Sequence, residues 1–198
     1  MPENDPSHHV PSPKREAILA AALEVFAERG VRGVAVPEIA SRARVGTGTI
    51  YRYFASKEVL VNELFRQHKR TLGERLDTTL VRPNDSPQQQ FSQVWAGLVA
   101  FAREERAAYQ FLELQDHLPY LDEQSRQVER DLLEPMRTGV ARLQRTGALR
   151  DDLRAEVAMA LIWGAFVNLF KAERLGYVTL SDDDLAAARD ACWRMIAA

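Results

Sequence analysis

The 198-residue sequence predicts an all-α protein, and three observations carry that expectation. Apolar residues recur at three- and four-residue spacing through most of the chain. No stretch alternates apolar and polar residues for long enough to make a strand. Glycine, proline and Ser/Asp clusters fall at the edges of the periodic segments, where helices start and stop. About nine helices are expected. Three short ones form an N-terminal unit, and the others form a larger bundle.

Residues 1–12, with Pro2, Pro6, Pro11 and the pair His8-His9, read as a mobile tail. The first helix begins near Lys14, gathers Ile18, Leu19, Ala22, Leu23, Val25 and Phe26, and stops at Gly30. A second spans Val36 to Ala43, with Pro37 tolerated in its first turn and Ile39, Ala40 and Ala43 facing inward. A third runs from Thr47 or Gly48 to Phe54. Ser56 has the chemistry of an N-cap, and Glu58 suits the positive end of the helix that follows. That fourth helix is expected over Lys57 to Leu80, with Leu60, Leu64, His68, Leu72, Leu76 and Leu80 as one stripe. Val81 to Pro87 breaks it and serves as a linker.

Beyond the linker, Phe91, Val94, Trp95, Leu98, Val99 and Ala102 mark one helix. Tyr109, Phe111, Leu112 and Leu114 mark another, ended by Pro119. Leu121 to Leu143 carries a third, kinked or restarted at Pro135 and closed by Gly147. Asp151 or Asp152 caps a fourth that passes Phe170 and stops near Gly176. Ser181, followed by three aspartates, opens the last, with Leu185, Ala188, Cys192, Met195 and Ile196 inward. The domains expected are a tail at 1–12, a three-helix unit at 13–58 and a C-terminal bundle at 59–198.

Composition narrows the function classes. The 26 Lys/Arg nearly cancel the 28 Asp/Glu, so a protein that coats nucleic acid wholesale is excluded. Cys192 has no partner for a disulfide. The longest unbroken apolar run, Val157 to Val167, is about half of the roughly 20 residues that span a bilayer, and the N-terminus has no apolar core. A soluble cytoplasmic protein without membrane contact is expected. None of the four histidines has a zinc-ligand spacing, and the stretch Gly46-Thr47-Gly48-Thr49 lacks the Lys-Ser/Thr ending of a phosphate loop. No nucleophile elbow occurs. No enzyme, metal or cofactor is expected.

The charge that remains is local. Between Val36 and Lys57 stand Arg42, Arg44, Arg52 and Lys57 against Glu38 alone. Three short helices with a tight turn at Arg44-Val45-Gly46 have the layout of a helix-turn-helix, at about residues 35–54, whose last helix enters the major groove. The sequence IASRARVGTGTIYRYFASKEVL resembles the N-terminal domain of TetR-family transcriptional regulators. The matching positions are Ala22, Phe26, Gly30, Ile39-Ala40, Val45, Gly48-Thr49-Ile50-Tyr51, Tyr53-Phe54, Lys57 and Leu60. The resemblance is dense from Lys14 to Phe65; beyond it only helical layout and length agree.

Residue chemistry supports the same reading independently. Gly48 permits close approach of the backbone to DNA. Thr47 and Thr49 can donate to phosphate or touch a base edge. Tyr51 can lie along the sugar-phosphate chain, and Arg52 is the long cation of the third helix. Tyr53 divides evenly between contact and core, whereas Phe54 reads as core. By resemblance, Lys57 holds a phosphate. Two departures stand out. Arg44 occupies a position where the family has glycine, which costs about 1 kcal/mol if the residue is left-handed, unless the turn uses Gly46. Val34, Ala35 and Val36 cannot cap the second helix, and with Gly46 in place of a serine the third-helix cap is expected from Thr47. Fewer neutral phosphate contacts follow, with Arg44 as compensation.

The segment Ala155 to Phe170 is apolar on more than one side and, with the final helix, would form half of a four-helix dimer seam. Ala160, Trp163, Gly164, Val167, Ala188, Cys192 and Met195 are the candidate seam residues. The resemblance implies the same homodimer, reading a palindromic double-stranded DNA operator. Trp95, Phe101, Tyr109, Phe111, His117, Trp163 and Phe166 are candidates to line a pocket for an unidentified apolar or aromatic effector, although His117 beside Asp116 also fits a helix-end surface position. A repressor released by that effector is expected. The alternative is a helical adaptor that binds protein, or an effector-binding protein, with weak or lost DNA binding.

Overall fold

The computed structural model describes residues 12–77, 85–113 and 117–198. The tail up to residue 11, most of the expected linker, Leu80, Leu114 and Asp116 lie outside the described residues. Among the described residues there are nine α-helices and no strand; Leu149 and Ala197 form one isolated antiparallel bridge.

Helix α1 (Pro13–Arg29) starts with proline at its first position and ends at Gly30, whose φ of 75° requires a residue without a side chain. Helices α2 (Val36–Arg42) and α3 (Thr47–Tyr53) are short because the Arg44-Val45-Gly46 turn and the extended, fully buried Phe54 stop them. The three pack around Ile18, Ala22, Phe26, Ile39, Ala40, Ile50 and Phe54, each 2% exposed or less. Cores of this density lose about 3–5 kcal/mol on removal of one phenylalanine.

Helix α4 (Lys57–Asp77) carries the expected stripe: Leu60, Leu64, Leu72 and Leu76 are buried, and His68 is half-buried. At 1.5 Å per residue its length is about 32 Å, enough to run from the three-helix unit into the bundle. Helix α5 (Pro87–Glu104) opens with Ser86, which accepts from the Gln89 amide at 3.2 Å while Gln89 accepts from the Ser86 amide at 2.7 Å. Pro87, assigned above to the linker, is thus the first residue of a helix, a position where its missing N–H costs nothing. Helix α6 (Arg106–Glu113) is followed by a 3-10 turn, Leu118–Tyr120.

Helix α7 (Glu123–Arg145) is one helix with Pro135 inside it, not two. Helix α8 (Ala155–Arg174) begins after Arg154 rather than at Asp151 or Asp152, and α9 (Asp182–Ile196) has the capping box of Ser181 and Asp184. By length and composition α8 is apolar enough to cross a membrane. Its Phe166 and Phe170 are buried in the bundle, whereas Ala160 and Leu161 face outward.

The bundle and the N-terminal unit share one core. Phe26 of α1 stacks on Phe111 of α6, with centroids 6.1 Å apart. Lys69 of α4 is buried and reaches Glu113 of α6 at 3.0 Å and Glu129 of α7 at 3.5 Å. A buried charge is tolerated only when paired, so α4 is fixed to both helices.

Candidate nucleic-acid interface

The turn before α3 has Arg44 at φ 55°, the left-handed conformation, while Gly46 lies at φ −71°. The turn therefore places its left-handed residue where glycine is absent and does not shift to Gly46. The cap of α3 is also not Thr47. Gly46 occupies the cap with an extended backbone and no side-chain bond, and its carbonyl accepts from the Thr49 amide at 2.8 Å. At α2, Glu38 reaches back to the Ala35 amide at 3.1 Å and supplies half of a capping box that Ala35 cannot complete. Arg29 pairs with Glu38 and holds it there. The backbone bond to Ala35, together with Arg29, keeps the Glu38 carboxyl below its ordinary pKa.

Helix α3 turns Ile50 inward and presents Gly48, Tyr51 and Arg52 to solvent. Tyr51 is 53% exposed, unusual for a ring that size and inconsistent with a core role. A Cβ placed on Gly48 would meet no atom within 4 Å, so nothing inside the fold demands glycine there. Thr47 and Thr49 are half-buried on the flank of the same helix. Tyr53 is half-buried, and its hydroxyl lies 2.9 Å from Ser12 Oγ. Ser12, grouped above with the tail, is therefore tied to the helix-turn-helix at the mouth of α1. Sequence reasoning missed it because the tie spans 41 residues.

Cations divide into two groups. Arg42 is held by Glu24 at 2.9 Å and Glu28 at 3.3 Å, both on α1. Those carboxylates push the Arg42 pKa up, and the pair joins α2 to α1. Lys57 turns inward and donates to the carbonyls of Val31 at 2.8 Å and Val34 at 2.9 Å. Arg44 and Arg52 are exposed, Arg52 next to Tyr51 along α3.

In the bundle the structure brings Trp95, Tyr109, Trp163 and Phe166 together. Trp95 and Tyr109 meet Phe166 edge-on at 5.3 and 6.0 Å, and Trp163 stacks on it at 5.7 Å. Phe111 and His117 form a separate group with Phe65, the His117 ring lying 5.6 Å from Phe111 and 5.1 Å from Phe65. His117 is buried rather than at a surface, because the turn after it folds back onto α4. Phe101 is buried on α5. Trp95 Nε1 and the Tyr109 hydroxyl are buried without a hydrogen-bond partner among the described residues. Burial, and the charge of Glu113, raise the Tyr109 pKa, so the hydroxyl stays protonated. A polar groove of about 520 Å³ lies elsewhere, between α4 and α7, lined by Arg66, Arg70, Glu63 and Glu74 among others.

On the outer face of α8, Ala160 and Leu161 are exposed, and a Cβ on Gly164 would meet nothing within 4 Å. Trp163, Val167 and Ala188 pack partly against the chain's own core, Met195 is half-buried, and Cys192 is buried. Leu161, exposed at 44%, was not among the residues expected here. Ala187 and Ala191 occupy the exposed side of α9.

Comparison with known proteins agrees with this arrangement. Residues 18–64 match the profile described as bacterial regulatory proteins, tetR family, and residues 65–198 match the tetracyclin repressor-like C-terminal domain. The transcriptional repressor BepR of Brucella suis is 30% identical over 166 residues, covering 78% of each chain. The HTH-type regulator YvkB of Bacillus subtilis is 37% identical over 67 residues, which is 34% of this chain and only 35% of that protein. A TetR family transcription regulator from Marinobacter aquaeolei superposes with a TM-score of 0.80 at 18% identity, over 93% of this chain and 95% of that one. The chain belongs to the tetR family of bacterial regulatory proteins.

Proposed function

We propose that this protein binds double-stranded DNA as a homodimer and acts as a transcriptional repressor, released from a palindromic operator by a small effector. The observation that carries the reading is the outer face of α3. Gly48 is open, Tyr51 is 53% exposed and Arg52 extends beside it, none of which the fold itself requires. Thr47, Thr49 and Tyr53 flank that face, and Arg44 stands at its entrance. Arg52 and Arg44 supply the charge that draws phosphate, while Gly48 lets the backbone approach. Lys57 falls beside this set, with its ammonium turned toward the protein.

A second copy is the occupant favoured for the α8–α9 face. Ala160, Leu161 and Gly164 form an apolar strip with small residues, which allows two helices to approach closely, and Ala187 and Ala191 continue it on α9. The effector site is the aromatic group around Phe166. The Trp95 N–H and Tyr109 O–H, without partners among the described residues, favour an apolar or aromatic molecule carrying a hydrogen-bond acceptor.

Footprinting the purified protein on its own upstream region, followed by a salt titration, tests the reading. A steep fall of log affinity with log salt, reduced by about 0.9 in Arg52→Ala, is the expected result. Flat and weak binding would instead favour a helical adaptor that engages protein. Lys57 turns inward and Arg42 is paired on the surface with Glu24 and Glu28, so Arg44 and Arg52 carry the expected slope; a slope near zero is the signature of that alternative.

A further inference from the structure

The turn between α1 and α2 is built without hydroxyl side chains. Val31 and Val34 are buried, and a Cβ on Gly33 would lie 2.9 Å from the Arg29 carbonyl oxygen. The carbonyls of Val31 and Val34 need donors from elsewhere. Lys57, first residue of α4, donates to both, at 2.8 and 2.9 Å. Its ammonium also lies 5.8 Å from the centroid of the Tyr120 ring, which belongs to the C-terminal bundle. One turn further along α4, Asn62 donates to the Tyr120 carbonyl at 2.7 Å and accepts from the Asp122 amide at 2.8 Å. An ammonium has three N–H donors. Two carbonyls and an aromatic face engage this one on the inner side.

We propose that Lys57 is a positioning residue rather than a phosphate anchor: it pins the α1–α2 turn to the helix joining the two domains and, through Tyr120, ties that turn to the C-terminal bundle. The proposal rests on the DNA-binding reading above for its effect on affinity, but the pin itself does not depend on DNA. Helix α2 leaves the turn directly and carries α3 through the Arg44 turn. The attitude of the exposed α3 face therefore follows the pinned carbonyls. The same lysine makes movement of the 118–122 segment felt at the DNA-binding unit without passing through the aromatic group at Phe166.

Phosphate anchoring and positioning leave different marks. A lost phosphate contact reduces the slope of log affinity against log salt by about 0.9, whereas a lost positioning residue weakens binding by one factor at every salt concentration. The full-length protein, with Lys57→Met, Tyr120→Leu and Arg52→Ala variants, would be titrated against a fluorescent duplex that the wild-type protein selects from a random-sequence pool. From about 50 to 200 mM salt, Lys57→Met should bind about tenfold more weakly with the wild-type slope, and Arg52→Ala should lose about 0.9 of slope. A comparable loss of slope in Lys57→Met overturns the proposal.

Amide hydrogen exchange of the unbound protein gives the second readout. Lys57→Met and Tyr120→Leu should speed exchange in residues 30–36 and leave α7 to α9 as in wild type. Unchanged exchange in that turn in both variants overturns the pin. Should Lys57→Met fail to fold, Tyr120→Leu still decides, since it keeps the ammonium and removes only the tie. If the wild-type protein shows no salt-dependent binding to any duplex, the DNA-binding reading fails, and exchange judges the pin by itself.

Discussion

Arg44 sits at φ 55°, the one non-glycine residue with positive φ among those described. A side chain in that conformation costs about 1 kcal/mol, and nothing inside the protein compensates through an ion pair to this exposed guanidinium among the described residues. Arg44→Gly should therefore raise the melting temperature by up to about 2–4 °C, less the part lost to a freer unfolded chain. If the guanidinium holds phosphate, the same variant loses about 0.9 of salt slope on DNA. Unchanged affinity and slope would remove Arg44 from the interface; a lower melting temperature would show that the turn needs the arginine. The strain and the contact are separable because one is read without DNA.

At the scale of elements, α4 and α6 carry the groups most sensitive to their surroundings. Burial lowers the pKa of His68 on α4, with the charge of Glu105 opposing the shift. The unfolded chain then binds a proton that the folded chain refuses. The stabilising contribution is full above a pH of about 6.5 and is lost as pH falls through the folded value. His68→Gln should flatten the decline in melting temperature between about pH 7 and pH 5, and identical declines would assign the effect to other groups. On α6, the Tyr109 hydroxyl is buried with no partner among the described residues. Tyr109→Phe keeps the ring against Phe166 and Phe170 and removes the stranded hydroxyl, which relieves on the order of 1–3 kcal/mol. The effector-free protein should melt higher and the response to an acceptor-bearing effector should weaken; a lower melting point would mean the hydroxyl has a partner in solution.

For the whole molecule, the proposed homodimer places its seam on the outer face of α8. A Cβ on Gly164 would meet nothing within 4 Å, so the first atom of a longer side chain fits the subunit itself, and Gly164→Leu tests the seam. Sedimentation should show a dimer for the wild type and a monomer with unchanged helical circular dichroism for the variant. A variant that stays dimeric would move the seam away from α8. Loss of the dimer should also reduce operator affinity, since one recognition helix then reads one half-site.

Much of this was legible from residue order alone. The period of the apolar residues located nearly every helix, because each helix must bury one stripe whatever its neighbours. Gly30, Ser181 and Ser56 marked ends by local hydrogen bonding and conformational freedom. Tyr51 and Gly48 were legible as outward residues because α3 is short and Ile50 and Phe54 fix which side faces in. Ser12, Arg42, Lys57 and His117 were not, since their roles depend on partners distant in the chain; Pro87 was misplaced although its signal, the Ser86–Gln89 capping box, is local. Sequence by itself determined the helices, their apolar faces and the family. Tertiary structure alone decided which cations point outward, that the Arg44 turn is left-handed and that the aromatic residues split into two groups, because each depends on contacts between elements that no local pattern encodes.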